Sequence, residues 1–385
     1  MKTIFALLGA LLLNGPAAAQ LPVAQTTDYA AELATIEARL AENGGIAAAL
    51  APPAELERAT RLAHLVYRRA SLTADYRDFR LAEQAIAAAI AAVGPSEDLL
   101  YLEASFAFKL HRLPRTREVL ALIPERGRAP RWLALEADLA YQQGDYAAAR
   151  RGYQAALARK RGWDDLARLA FLDSRTGRRK QAEQLYAEAQ DQLTIKEMRS
   201  WAWVELQRGL LDLEFGDPAA ALEHYRRAER GYSGWWLIEE HVAEALARLG
   251  RREEAAARYR RVLESQRSPE FLAALAALGP PDAAELAAEA ARRFAEESAL
   301  YPEAALGHQL EHLLENPLAR PEDGAALLEM ARRNLELRPS GEARLLLARA
   351  YAKTGRRQEA RAELAAIAAT PWRLPGLARL RAELR

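Results

Sequence analysis

The chain has 385 residues, with 54 Lys and Arg set against 53 Asp and Glu, and no cysteine. The balanced charge argues against a dedicated nucleic-acid binder, which carries a basic excess. The lack of Cys excludes disulfide scaffolds, thiolate zinc sites and thiol catalysis. Half of the residues are hydrophobic but only 7% are aromatic. Much of the apolar content is alanine, the composition of long helices with narrow contacts rather than of a sheet rich in Val, Ile and Thr.

In chain order, the first element is a targeting segment. Lys2 precedes an apolar run from Ile4 to Leu13, broken by Asn14-Gly15-Pro16, and Ala17-Ala18-Ala19 offers a small-residue cleavage site. This pattern predicts a secretory signal peptide over residues 1–19, cut after Ala19. The run is too short to span a bilayer as a helix, and no later stretch is long and apolar enough to do so. The mature protein is expected outside the cytoplasm without a membrane span. Arg outnumbers Lys 48 to 6, which points to a GC-rich bacterium and makes the periplasm the expected address. Residues 20–53 carry one amphipathic helix at 27–42, read as an N-terminal cap or docking arm. Gly44-Gly45 and Pro52-Pro53 separate it from the rest of the chain.

Residues 54–385 repeat. From Gly144, offsets +5, +9 and +12 give Ala149, Tyr153 and Ala156. From Gly177 they give Ala182, Tyr186 and Ala189, from Gly216 they give Ala221, Tyr225 and Ala228, from Gly250 they give Ala255, Tyr259 and Val262, and from Gly355 they give Ala360, Leu364 and Ile367. These offsets share one helical face. The small residues admit a neighbouring helix, the ring fills the gap between units, and the glycine ends the preceding helix in the left-handed conformation. Ala137, Ala170, Gly209 and Ala243 take the small position of the first helix. Degenerate units at Arg77 (Ala82, Ile86, Ala89) and His111 (Thr116, Leu120, Ile123) lack the glycine. A weaker stretch at 270–340 is split at Gly279-Pro280-Pro281, and Leu377 to Arg385 forms a final capping helix. Neither helix of such a unit can bury its face alone, so the units must stack.

The pattern resembles the tetratricopeptide repeat (TPR), most closely in Leu347-Ala348, Tyr351, Gly355 and Ala360. The resemblance implies an all-α fold, a right-handed α-solenoid of about eight or nine helix-turn-helix units. It implies a non-enzymatic interaction scaffold that binds a protein or peptide in a concave groove, with no cofactor. Exported proteins of this kind serve envelope assembly or exopolysaccharide export, so the expected partner is an envelope or membrane protein. Carrying the family's groove positions over puts Asp138, Tyr141, Phe171, Arg175, Trp203, Glu240, Glu244 and Arg349 in that groove.

One string has catalytic overtones. His308, Glu311 and His312 form H-x-x-E-H, which on a helix can hold zinc with the Glu as base. The alternative function is therefore a zinc site, structural or hydrolytic, with Glu329, Glu336 and Glu342 as available third acids. The simpler reading is a degenerate repeat helix whose two His rim a packed face. Trp201, Trp203, Trp235 and Trp236, beside Glu239, Glu240 and His241, could grip a sugar or peptide side chain. The simpler reading there is an interface between units. The basic runs Arg178-Arg179-Lys180 and Arg251-Arg252 are read as solvated turn charges.

Overall fold

The computed structural model describes residues 28–124, 129–315 and 324–384. The predicted signal peptide lies outside these residues. Two short helices come first, α1 (Tyr29–Glu42) and α2 (Gly45–Leu50). Nine helix pairs come after them among the described residues: α3 (Leu56–Thr73) and α4 (Tyr76–Val93); α5 (Glu97–Lys109) and α6 (Leu113–Ala121); α7 (Pro130–Gln142) and α8 (Tyr146–Arg159). Next come α9 (Trp163–Arg175) and α10 (Arg179–Asp191); α11 (Met198–Glu214) and α12 (Pro218–Gly231); α13 (Trp236–Arg248) and α14 (Arg252–Ser265). The last pairs are α15 (Pro269–Ala277) and α16 (Ala283–Leu300); α17 (Pro302–Glu315) and α18 (Gly324–Leu337); α19 (Gly341–Lys353) and α20 (Arg357–Ala368), before the terminal α21 (Pro375–Glu383). Among the described residues the only β-type pairings are two isolated bridges. The weak stretch at 270–340 is thus built of two further helix pairs.

The repeat glycine does what its position predicts. Gly144, Gly177, Gly216, Gly250 and Gly355 all have φ between 75° and 89°. In each turn the amide of the next residue bonds back to a carbonyl five residues earlier, as in Asp145 to Ala140 at 2.9 Å and Asp217 to Asp212 at 2.9 Å. This left-handed exit satisfies carbonyls that the helix end would orphan. His111 takes the same role at φ 57°. In the first pair the left-handed residue is Ala74, at φ 52°, not Arg77. The extra turn at the start of α4 shifts the packing face relative to the turn, so Ala82, Ile86 and Ala89 are still buried. Asp145 and Asp217 then cap α8 and α12 by accepting from the amides of Ala148 and Ala220.

All five +5 residues are fully buried, and the +9 residues Tyr153, Tyr186, Tyr225, Tyr259 and Leu364 are at most 4% exposed. The small first-helix positions matter because the second helix presses directly on them, with a ring at Gly209 and backbone at Ala137. A Cβ on Gly209 would come within 2.4 Å of Tyr225 Cε1, and one on Gly152 within 2.7 Å of Ala137 Cβ.

The stack closes on itself. Helix α1 reaches the α12–α13 turn, where the Tyr29 amide bonds to the Ser233 carbonyl at 3.0 Å and Tyr232 Oη donates to Glu32 at 2.7 Å. Trp236 Nε1 donates to the Leu72 carbonyl at the end of α3 at 2.9 Å. Tyr301 Oη donates to Glu83 of α4 at 2.8 Å. Further on, Tyr146 Oη accepts from the Gly341 amide at 2.6 Å, and buried Arg338 bonds to His111 at 2.9 Å. Leu310, Leu327, Leu345 and Trp372 accordingly share one apolar cluster with Trp132, Tyr141, Leu166 and Leu206.

Candidate functional site

The first helices of the central pairs, α7, α9, α11 and α13, carry the side chains expected to line a groove. Tyr141, Phe171 and Arg175 do meet. The Tyr141 and Phe171 rings lie edge to face at 5.4 Å, and the Arg175 guanidinium sits 4.6 Å from the Phe171 centroid. Arg175 donates to Glu214, and Tyr141 Oη donates to Glu342 of α19. Burial raises the Glu214 carboxyl, with Arg175 opposing it. Glu240 and Glu244 also lie together, 3.0 Å and 3.7 Å from His241 Nδ1.

The other positions turn elsewhere. Asp138 accepts from Tyr153 Oη at 2.8 Å and from Arg168 at 3.1 Å. Trp203 packs edge-on against Trp163 at 6.3 Å. Arg349 reaches Glu315 at 2.7 Å.

These eight positions do not line an open groove. Asp138, Tyr141, Phe171, Arg175, Trp203, Glu240 and Glu244 are all buried, and Arg349 is half-buried. At Tyr141 and Arg175 the cover is the chain's own C-terminal part. The Arg175 carbonyl accepts from the Arg373 amide at 2.6 Å, and Thr176 forms a parallel bridge with Arg373. Trp372, fully buried, packs on Gly341, where a Cβ would lie 2.4 Å from the indole, and its Nε1 donates to Glu342 at 3.1 Å. Sequence offsets place residues within one unit and carry no information on which distant unit returns to cover them. The signal that was present is Pro371-Trp372 itself, a proline that breaks the last repeat beside a Trp too large to leave exposed.

This inner arrangement sits on a recognisable scaffold. No protein-family model matches the sequence, and no curated protein matches it. Solved structures do match. A Rap protein complexed with Competence and Sporulation Factor is 13% identical over 86% of this chain and 100% of its own, with a TM-score of 0.50. The fold is a TPR-like α-solenoid. The Cut9–Hcn1 hetero-tetramer of the APC/C is 14% identical, covering 87% of this chain and 71% of its own at a TM-score of 0.45. The C-terminal part of a TPR repeat-containing protein from Cytophaga hutchinsonii is 16% identical, covering 62% and 95% at 0.37. These two lower scores add nothing to the assignment.

In the solenoid the H-x-x-E-H residues do not gather. His308 Nδ1 faces Glu270 of α15 at 3.7 Å, while His312 stacks on Phe294 of α16 at 4.8 Å. Glu311 is buried on the side of Arg338. Among the described residues the one group of three with metal-ligand spacing is Glu240, His241 and Glu244, so zinc at His308 and His312 is not favoured. Glu342, considered as a third zinc ligand, instead accepts from Tyr141 and Trp372. Trp203 and Trp235 are buried and Trp201 and Trp236 partly so, as expected for residues filling interfaces. The turn arginines do more than face water: Arg179 bonds to Asp212 of the next unit at 2.8 Å and Arg252 to the Leu278 carbonyl at 2.7 Å.

A second polar knot lies between α11 and α12. Buried Glu205 is met by His224 at 2.5 Å, Gln190 at 3.0 Å and Arg227 at 3.3 Å. Burial alone would raise this carboxyl, but the hydrogen bonds from His224, Gln190 and Arg227 outweigh it and hold it at about 2. A carboxyl depressed from 4.5 stabilises the fold above the unfolded value and loses that contribution as pH falls through the folded one. Urea midpoints of the wild type should therefore fall between about pH 4.5 and pH 2, and Glu205→Gln should flatten that part of the profile. Parallel profiles for the two proteins would contradict this assignment.

Proposed function

We propose that the chain is a non-enzymatic interaction scaffold whose inner face holds an extended peptide segment of a protein partner. The observation that carries the reading is the segment Thr370–Leu374. It runs across the end of α9 with backbone pairing to Arg175 and a Trp side chain seated between Gly341 and Glu342. Main-chain hydrogen bonds joined to one aromatic anchor are a recurring way to bind an extended peptide. The Rap neighbour is described in complex with Competence and Sporulation Factor, which agrees with this use of the fold. The N-terminal leader pattern supports export to the envelope, with an envelope protein as partner in assembly or exopolysaccharide export.

The buried state of Tyr141, Phe171, Arg175 and Glu240 makes them poor choices for testing capture, because changing them would disturb the fold. The slot itself is testable. In the Trp372→Ala chain, a synthetic peptide spanning 368–380 should bind and raise the melting temperature by mass action. It should do neither with Trp372→Ala/Gly341→Leu, in which the slot is filled. No binding to Trp372→Ala sinks the peptide reading. Secretion of a reporter fused to residues 1–30 tests export separately, and a reporter retained in the cytoplasm would refute it.

A further inference from the structure

The inner face of α13 holds a cluster that the peptide reading leaves unused. Glu240, His241 and Glu244 each offer one ligand atom, and these atoms all lie within 4.8 Å of one another. Glu240 and Glu244 are one turn apart on the same face, and His241 stands three residues before Glu244. Glu240 and Glu244 are buried, and the His241 side chain is 12% exposed, which leaves a narrow route to solvent. Arg248 donates to Glu244 at 2.6 Å.

The second observation comes from the neighbouring unit. Tyr225 stacks on the His241 ring with centroids 5.4 Å apart and planes at 24°. Its ring is fully buried, and its hydroxyl is buried without a hydrogen-bond partner. Burial, then the charges of Glu244 and Glu240, pushes that phenol well above its ordinary value. That hydroxyl thus feels both carboxylates while hydrogen-bonding to neither. Leaving a buried hydroxyl unmet is unfavourable.

We propose that Glu240, His241 and Glu244 bind a divalent first-row transition-metal ion, with the Tyr225 hydroxyl hydrogen-bonded to a water on that ion. The donor set is two carboxylate oxygens and one imidazole nitrogen, which suits Zn2+ or Mn2+. Ligand bonds to such ions are about 2.0–2.2 Å, so small side-chain rotations close the cluster on a shared centre. Arg248 fixes Glu244 from outside, as outer partners of ligating carboxylates do. An ion here would tie α13 to α12 through Tyr225 and stiffen the middle of the stack.

The test uses the full chain, stripped with EDTA and titrated separately with Zn2+ and Mn2+ by calorimetry and thermal melting. One ion per chain and a raised melting temperature are expected. His241→Ala and Glu244→Gln should weaken binding at least tenfold, and Tyr225→Phe should weaken it several-fold with the helical circular dichroism unchanged. His308→Ala/His312→Ala should bind like the wild type. Should His241→Ala fail to fold, the Co2+ absorption of the unaltered protein still reports the donor set. No uptake, or uptake that His241→Ala and Glu244→Gln leave unchanged, overturns the proposal in favour of a metal-free hydrogen-bonded cluster. Neither result bears on the Trp372 slot, which lies on other residues.

Discussion

Arg168→Ala should destabilise the solenoid by about 3–5 kcal/mol, because it strands buried carboxylates. The guanidinium of Arg168 is 3% exposed and meets Asp138, itself fully buried, at 3.1 Å and Asp165 at 3.3 Å. Burial works against the charge on Arg168, and Asp138, Asp165 and Asp164 more than restore it. Without the cation, Asp138 keeps only the Tyr153 hydroxyl. Burial already raises the Asp138 carboxyl, so the variant is expected to take up a proton there and to recover stability as pH is lowered towards 5. Urea denaturation followed by circular dichroism at pH 8 and pH 5 reads both effects. Asp138→Asn/Arg168→Met should be less damaged than Arg168→Ala alone, because it strands one buried carboxylate, Asp165, in place of two. A loss below about 1 kcal/mol, or a double variant as unstable as the sum of its parts, would contradict this account.

Trp372→Ala should cost about 3–5 kcal/mol, from the buried ring and the cavity it leaves. The indole is fully buried against Gly341 and shares the apolar cluster of α7, α9 and α19. Its removal also takes one donor from Glu342, which retains Tyr141. In a stacked array, units can open separately. The loss should therefore be local, with hydrogen-exchange protection falling first in α20 and α21 and later in α11 and α12. Uniform loss of protection along the chain would mean that the C-terminal segment is no separable element. Trp372→Phe, which keeps most of the volume and loses the Glu342 bond, should cost less than half as much.

The repeat was legible because its signals are local. A glycine forced into the left-handed region, an alanine where two helices touch and a Tyr between units each answer to sterics within some twelve residues. Gly144 and its four equivalents could thus be placed from spacing alone. Arg77 could not, since an extra turn in α4 moves the left-handed residue to Ala74 without disturbing the apolar face at Ala82, Ile86 and Ala89.

The candidate site was legible only in part. Of the residues named by the groove offsets, Tyr141 meets Phe171, whose ring lies under Arg175, and Glu240 lies near Glu244 beside His241. They could not find Glu342, which lies 201 residues from Tyr141 in the chain, nor Arg338 bonded to His111 across 227. The Tyr225 ring on His241 was hidden for another reason. The sequence assigns that tyrosine to packing, and only its depth shows the unmet hydroxyl.

By itself, then, the sequence determined the helical class, the stacking unit, the glycine turns and the face each second helix buries. Those come from backbone sterics and from the period of small and apolar side chains. Tertiary structure alone decided that the stack closes, that α1 docks on the α12–α13 turn and that Trp372 and Arg373 cover Arg175. The small rotation between successive units is set by packing, and summed over many units it decides which distant surfaces meet.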